Sequence, residues 1–136
     1  MKGIWADLED GQDDFMGRLD EAKRLVDEGA DVDSRDRNGI TPLKTAAYNG
    51  HVSIIRFLLD RGANIDMKDN YNWTALHWAA YNGRDAAARL LIERGADLHA
   101  KNIDGFTPLG GAKRRNNSST AAIIEMAVKS TKGKNQ

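Results

Sequence analysis

The strongest constraint on this chain is a repeat with a period of 33 residues. A Gly-Ala-Asp or Gly-Ala-Asn triplet begins at residues 29, 62 and 95, and a Thr-x-Leu triplet begins at residues 41, 74 and 107. Two independent registers therefore agree on one period, and the five residues 46–50 recur unchanged at 79–83. Repetition at this interval predicts stacked copies of one small structural unit rather than a closed globule.

Each period is predicted to form two short helices. The threonine that opens the first helix can accept a hydrogen bond from a free backbone N–H, and proline follows it at Thr41 and Thr107. Asn49 and Gly50 suit the left-handed end of that helix. In the second helix, apolar residues recur at helical spacing at 52, 55, 58 and 59. Because helices this short are marginal alone, neighbouring units must stabilise one another.

At these residues the sequence resembles the ankyrin repeat family, whose Thr-Pro-Leu-His-x-Ala-Ala and Leu-Leu-x-x-Gly-Ala-Asp patterns are nearly intact within 41–66 and 74–99. The resemblance implies an all-α repeat solenoid, in which helix-turn-helix units are joined by β-hairpin-like loops. The expected units are an N-terminal capping repeat 1–33, internal repeats 34–66 and 67–99, a C-terminal capping repeat 100–128 and a disordered tail 129–136.

Two departures from the family pattern concern the first helices. The histidine of the family pattern is present only as His77, and Lys44 and Gly110 replace it, so we expect the hydrogen bonds there to be incomplete. Gly111 lies one period after Trp78. We expect the missing side chain of Gly111 to leave room for the Trp78 indole, and Gly111→Leu to lower the melting temperature.

The residues argue against catalysis. The chain has no cysteine, and His51, His77 and His99 occupy different positions in their repeats, which gives no convergent metal site. The acidic run from Asp7 to Asp14 has no apolar surroundings that would perturb a carboxyl pKa, so we interpret it as a solvated capping face. We expect no catalytic, cofactor-binding or metal-binding residues, and the family resemblance likewise implies a protein that is not an enzyme.

Charge and hydropathy limit the classes of partner that this chain is expected to bind. Residues 1–33 hold 4 Lys and Arg against 11 Asp and Glu, whereas residues 100–136 hold 7 against 2, although the formal net charge is zero. The basic triplet 113–115 could touch phosphates, but a pI of about 6.8 argues against a nucleic-acid binder. The apolar stretches are too short for a membrane span, and the first residues lack a signal-peptide pattern. We expect a cytoplasmic protein. The sequence is also compatible with a location in the nucleus and with delivery into a host cell.

Aromatic residues mark the expected binding surface. In the ankyrin-like arrangement the loops and first helices line the concave side, where relatives bind partners. Tyr48 and Tyr81 are equivalent there, as are Ile40, Trp73 and Phe106, while Trp78 is expected to be half-buried. The loop tips should set specificity because the fold hardly constrains them. The predicted partner-binding residues are Arg37, Asn38, Ile40, Tyr48, Asn70, Tyr71, Trp73, Tyr81, Ile103, Phe106 and Arg114.

The resulting functional hypothesis is a non-catalytic, monomeric module that binds another protein through its concave aromatic surface. Two alternatives remain open: a self-assembling scaffold that uses the opposite charges of its two ends, and an inhibitor or regulatory subunit of an enzyme. Replacing Trp73 and Tyr81 by alanine should abolish partner capture with little change in thermal stability.

Overall fold

The computed structural model describes the backbone of residues 15–134 and the side chains of residues 19–131. Within that range the chain forms seven helices and no strand. The helices are α1 (Phe15–Asp27), α2 (Pro42–Asn49), α3 (Val52–Asp60), α4 (Ala75–Tyr81), α5 (Asp85–Glu93), α6 (Pro108–Arg114) and α7 (Ser118–Lys134). The acidic run from Asp7 to Asp14 and the first helix expected within residues 1–33 lie outside the described residues.

The helices stack in two layers. One layer consists of α2, α4 and α6, and the other of α1, α3, α5 and α7; each first helix packs on the second helix of its own unit and on the first helix of the next. This arrangement confirms the predicted all-α repeat solenoid. Units formed by α2 and α3, by α4 and α5, and by α6 and α7 follow one another in chain order.

The threonine caps explain why each first helix begins where it does. The hydroxyl oxygens of Thr41, Thr74 and Thr107 each accept the backbone N–H three residues later, at 3.2–3.3 Å. The left-handed turn that ends the first helix recurs as well: φ is +73° at Gly50, +67° at Gly83 and +60° at Asn116. Asn116 takes this conformation where its two counterparts are glycine, because asparagine tolerates it better than most residues.

The core is continuous through the internal units. Ile54, Ile55 and Leu58 of α3 are buried against α1 and α5, and Leu43 and Leu76 fill the space beneath the first helices. Both layers contain buried alanines, and these small side chains allow the helices to pack closely. A second, smaller cluster joins the last unit to its neighbour; its buried members are Ala80, Ala112, Ala121 and Ile124.

The loops between units are hydrogen-bonded turns. In each of the three loops, an Asp or Asn oxygen accepts two backbone N–H groups within its own turn, at 2.8–3.0 Å; these residues are Asp36, Asp69 and Asn102. Neighbouring tips are also joined, because Asn70 N–H donates to the Asn38 carbonyl and Ile103 N–H to the Tyr71 carbonyl. The loops thus have the expected hairpin-like form.

The tail prediction needs a correction. The sequence predicts a disordered tail at residues 129–136, but α7 continues to Lys134, and residues 135 and 136 lie outside the described residues. Ile124 is buried and Val128 packs on the same cluster, which anchors the helix. Beyond Val128 no proline intervenes, so the backbone can continue as a helix through the polar residues 129–134, although Gly133 is a weak helix former.

Candidate functional site

The predicted partner-binding residues lie on one surface, formed by α2, α4, α6 and the loops that precede them. We call it the first-helix surface. Its most exposed large side chains are Tyr48 (47% exposed), Tyr71 (59%) and Ile103 (64%). Ile40, Trp73, Tyr81 and Phe106 are half-buried on the same surface. Exposed aromatic and branched side chains that share one surface are typical of protein contact sites.

Four rings form a continuous aromatic cluster, which consists of Tyr48, Trp73, Trp78 and Tyr81. Ring centroids are 5.6 Å apart for Tyr48 and Trp78, 4.5 Å for Trp73 and Trp78, and 5.1 Å for Trp73 and Tyr81. The equivalent tyrosines are therefore both joined to Trp73, Tyr81 directly and Tyr48 through Trp78, which is half-buried as expected. Because Trp73 and Tyr81 pack on each other, the expectation that both can be truncated without loss of stability does not fit the structure.

The indole nitrogen of Trp78 is fixed by the loop before α4. Its Nε1–H donates to Asp69 Oδ2 at 3.1 Å, while Asp69 Oδ1 accepts the backbone N–H groups of Tyr71 and Trp73. Asp69 is only 3% exposed. One buried carboxylate thus shapes the loop and orients the central ring of the aromatic cluster.

Two arginines cover the ring faces at the C-terminal end of the surface. The guanidinium carbon of Arg115 lies 4.5 Å from the Tyr81 ring centroid, and that of Arg114 lies 5.2 Å from the Phe106 centroid. Cations over aromatic faces are attracted by the ring quadrupole. This end of the surface is therefore both aromatic and basic.

Two pockets open between the units on the first-helix surface. The first pocket, of about 250 Å³, is lined by Asp36, Ile40, Lys44, Thr45, Tyr48, Asn49 and Trp78. The second pocket, of about 400 Å³, is lined by Trp73, His77, Tyr81, Asn102, Asp104, Phe106, Gly111 and Arg114. Six of the predicted partner-binding residues line these pockets. Ile40 and Tyr48 line the first pocket, and the second is lined by Trp73, Tyr81, Phe106 and Arg114.

The space beside Gly111 corrects one expectation. A Cβ placed on Gly111 would meet no atom within 4 Å, so the Trp78 indole does not occupy the room that this glycine leaves. That room belongs to the second pocket. The neighbouring Gly110 is different, because a Cβ there would lie 3.2 Å from Phe106 Cδ1. The expected destabilisation by Gly111→Leu therefore has no steric basis.

The loop tips are less free than the sequence suggests. The side-chain amide of Asn70 donates to the Arg37 carbonyl at 2.9 Å, and Arg35 donates to the Lys68 carbonyl at 3.1 Å. Asn70 thus helps to align neighbouring loops, which differs from the expectation that tip side chains are unconstrained. The exposed side chains at the tips are Arg37, Asn38, Asn70, Tyr71, Ile103 and Asp104.

Lys44 and His77 occupy equivalent positions in successive units. Each side chain donates a hydrogen bond to a loop carbonyl, but the two carbonyls belong to different loops. Thr74 N–H donates to His77 Nδ1 at 3.1 Å, so Nε2 carries the hydrogen and donates to the Phe106 carbonyl of the next unit at 2.8 Å. Lys44, which is 1% exposed, instead donates Nζ–H to the Gly39 carbonyl of its own unit at 3.1 Å. The hydrogen bond at this position is therefore not missing in the unit of Lys44, but it is made to a carbonyl of the same unit instead of the next one.

Burial sets the protonation of both groups. Desolvation lowers the pKa of Lys44 to about 8, although the nearby Asp69 carboxylate acts in the opposite direction. Desolvation also lowers the pKa of His77 below its ordinary value, against the effect of its hydrogen bond to the Phe106 carbonyl. His77 is therefore neutral at physiological pH, as its two hydrogen bonds require.

The sequence reasoning missed several pocket residues. Lys44, Asn102 and Gly111 line the pockets but were not predicted to contact a partner. Superposing the repeats would have indicated two of them, because Asn102 stands where the earlier loops have Asp, and Gly111 stands where α4 has Trp78. Among residues 15–134 no group of three or more His, Asp or Glu side chains could hold a metal ion. No helix in that range is long and apolar enough to cross a bilayer.

Stacked helical hairpins with loops and first helices on one surface define a helical repeat protein. The chain belongs to the ankyrin repeat family, because the family model for three ankyrin repeats matches residues 15–102, well over half of the 136 residues. The resemblance noted in the sequence is thereby confirmed. Ankyrin repeats are generally protein interaction modules without catalytic activity. A search of curated proteins found no match.

Proposed function

We propose that this protein is a non-catalytic module that binds another protein through the first-helix surface. The observation that carries the proposal is the exposure of Tyr48, Tyr71 and Ile103 on the surface that also holds both pockets. Tyrosine combines a large contact area with few rotatable bonds, so it contributes strongly to binding energy. The general role of ankyrin repeats supports the same conclusion.

The test is site-specific photo-crosslinking in the cells that produce the protein. A benzophenone amino acid at position 71, at the exposed tip of the loop before α4, should form a covalent adduct with a partner protein. The same amino acid at position 126 is the matched control, because Met126 is 70% exposed on α7 in the other helix layer. Mass spectrometry of the adducts identifies the partner.

The purified partner then allows affinity to be measured. Tyr48→Ser and Tyr71→Ser remove exposed rings, and each should weaken binding by tenfold or more while the circular dichroism spectrum is unchanged. Met126→Ser should bind as the native chain does. Adducts at position 126 alone, or full affinity in both tyrosine variants, would contradict the proposal. A position-71 adduct between two copies of this chain would favour the self-assembling scaffold instead.

A further inference from the structure

The two pockets are equivalent places in successive units. A shift of 33 residues converts Ile40, Lys44 and Tyr48 of the first pocket into Trp73, His77 and Tyr81 of the second. The same shift converts Trp78, which lines the first pocket, into Gly111. A ring therefore closes the gap between the second and third units, whereas the gap between the third and fourth units lacks one. The volume beside Gly111 is suited to an aromatic side chain supplied from outside.

At the position where the third unit has a hydrogen-bond acceptor, the fourth unit has a hydrogen-bond donor, and this donor lines the second pocket. In the third unit, Asp69 Oδ2 accepts the indole N–H of Trp78. The equivalent residue of the fourth unit is Asn102, whose Oδ1 accepts the N–H groups of Asp104 and Phe106 at 3.0 and 2.9 Å. These two donors fix the orientation of the amide, so Nδ2 takes the corner that Asp69 Oδ2 holds.

That Nδ2 group is available to a guest. Asn102 is 6% exposed and lines the second pocket, and Nδ2 has no hydrogen-bond partner within the described part of the chain. A donor buried to this extent favours a ligand that carries an acceptor atom. An indole would present another N–H donor to it, whereas a phenol presents an oxygen. The Asp104 carboxylate in the same lining can accept the phenolic hydrogen.

The charges at the pocket favour a guest with acidic neighbours. Arg114 lines the pocket and covers the Phe106 ring, and Arg115 covers the Tyr81 ring. Lys113 adds an exposed positive charge beside them. The Asp104 carboxylate offsets only one of these three positive charges, so the pocket disfavours a cationic guest and attracts carboxylates at its rim.

We propose that the second pocket binds a tyrosine side chain of an acidic segment in the partner protein. The phenolic oxygen accepts from Asn102 Nδ2 and donates to Asp104, and carboxylates that flank the tyrosine pair with Arg114 and Arg115. This inference rests on the proposed function, since it identifies the chemistry of the segment that the first-helix surface binds.

The experiment uses four blocked peptides, Glu-Asp-Xaa-Asp-Glu, in which Xaa is tyrosine, phenylalanine, tryptophan or trimethyllysine. Binding to the full chain, labelled with ¹⁵N, is followed by NMR titration at low salt. The tyrosine peptide should bind at least tenfold more tightly than the phenylalanine peptide, the effect of its two hydrogen bonds to Asn102 and Asp104, and it should shift the Asn102 side-chain amide signals. Equal binding of all four peptides, or tighter binding of the tryptophan or trimethyllysine peptide, would overturn the proposal.

Two variants test the mechanism. Asn102→Asp restores the residue type found at Asp36 and Asp69, keeps an acceptor for the loop, and should abolish the preference for tyrosine over tryptophan. Gly111→Trp fills the pocket with the side chain found at Trp78, and should abolish binding of the tyrosine peptide. Met126→Trp is the matched control, because it adds the same side chain on α7 in the other helix layer, and it should leave peptide binding unchanged.

The outcomes separate this inference from the proposed function. Unchanged peptide binding by Gly111→Trp, in a chain with a native circular dichroism spectrum, would overturn the pocket assignment. If the crosslinked partner also binds Gly111→Trp at full affinity but not Tyr48→Ser or Tyr71→Ser, the first-helix surface remains the binding site and only the tyrosine pocket is wrong.

Discussion

Lys44 is a buried ammonium group placed where the family pattern has histidine. Its only hydrogen bond within the described residues reaches the Gly39 carbonyl, and desolvation lowers its pKa from 10.5 to about 8. The folded chain therefore holds this proton less tightly than the unfolded chain does. The free energy of unfolding should rise with pH between about 8 and 10.5, because the unfolded state binds more protons in that window.

Lys44→His should stabilise the protein at pH 7 by about 1 kcal/mol, because the new ring can repeat the hydrogen bonds of His77. Its Nδ1 would accept from Thr41 N–H and its Nε2 would donate to the Trp73 carbonyl, one period before Phe106. The rise in stability between pH 8 and 10.5 should also disappear. Urea denaturation across this pH range measures both effects.

Lys44→Met is the control for the hydrogen bonds. It removes the titrating group but provides no donor, so the pH dependence should be lost, and the gain at pH 7 should be smaller than in Lys44→His because it comes from relief of desolvation alone. An equal gain in both variants would mean that relief of desolvation, rather than the restored hydrogen bonds, is the cause.

For single residues, comparison between the repeats predicted structural roles better than the identity of a residue alone did. Comparing positions 33 apart correctly identified the capping threonines, and the family resemblance correctly indicated that Trp78 is half-buried. It failed at Gly111, because the sequence does not state whether a missing side chain is filled by a neighbour or left as a pocket. It also gave no sign that Asn70 aligns two loops, since that contact depends on how closely the tips approach.

Among the helices, α7 is the element whose attachment the sequence predicted least well. Its first turn is joined to the start of α5, where the hydroxyls of Ser119 and Thr120 donate to the Asp85 carboxylate. These hydrogen bonds, with that of Ser119 the larger cause, lower the pKa of Asp85 below its ordinary value of 3.8. The contact spans 34 and 35 residues of sequence, so no local pattern indicates it.

Asp85→Asn should weaken the contact between α5 and α7 and lower the free energy of unfolding at pH 7 by about 1 kcal/mol. Hydrogen exchange should accelerate most in the first turn of α7. Because the contribution of a carboxylate with a lowered pKa is lost as pH falls through that pKa, the difference between the two proteins should begin to shrink near pH 3.8 and vanish only below the lowered pKa of Asp85. Glu93→Gln, an exposed carboxylate on the same helix, should change neither quantity; an equal effect would indicate a general charge response.

At the scale of the whole molecule, the described helices form a linear stack, and its last unit differs from the internal units. An internal unit packs on two neighbours, whereas the unit of α6 and α7 packs on one. The architecture followed from the period alone, because units that cannot bury their apolar faces singly have few arrangements other than stacking. How strongly each interface couples its units is not encoded in the period; it depends on the side chains that fill it, and the last interface has only a small buried cluster.

Ile124→Ala should unfold the last unit separately from the rest. Ile124 is fully buried in the small cluster that joins α7 to its neighbours, and truncating a buried isoleucine costs about 2–5 kcal/mol. Ile54→Ala, an equally buried residue of α3, should instead lower the stability of the whole stack, since the larger core passes through it. Hydrogen exchange resolved by helix distinguishes the two: Ile124→Ala should accelerate exchange in α6 and α7 alone, and Ile54→Ala in every described helix. Met126→Ala, exposed on α7, should leave both patterns unchanged. Uniform acceleration in Ile124→Ala would mean that the described helices unfold as one cooperative unit.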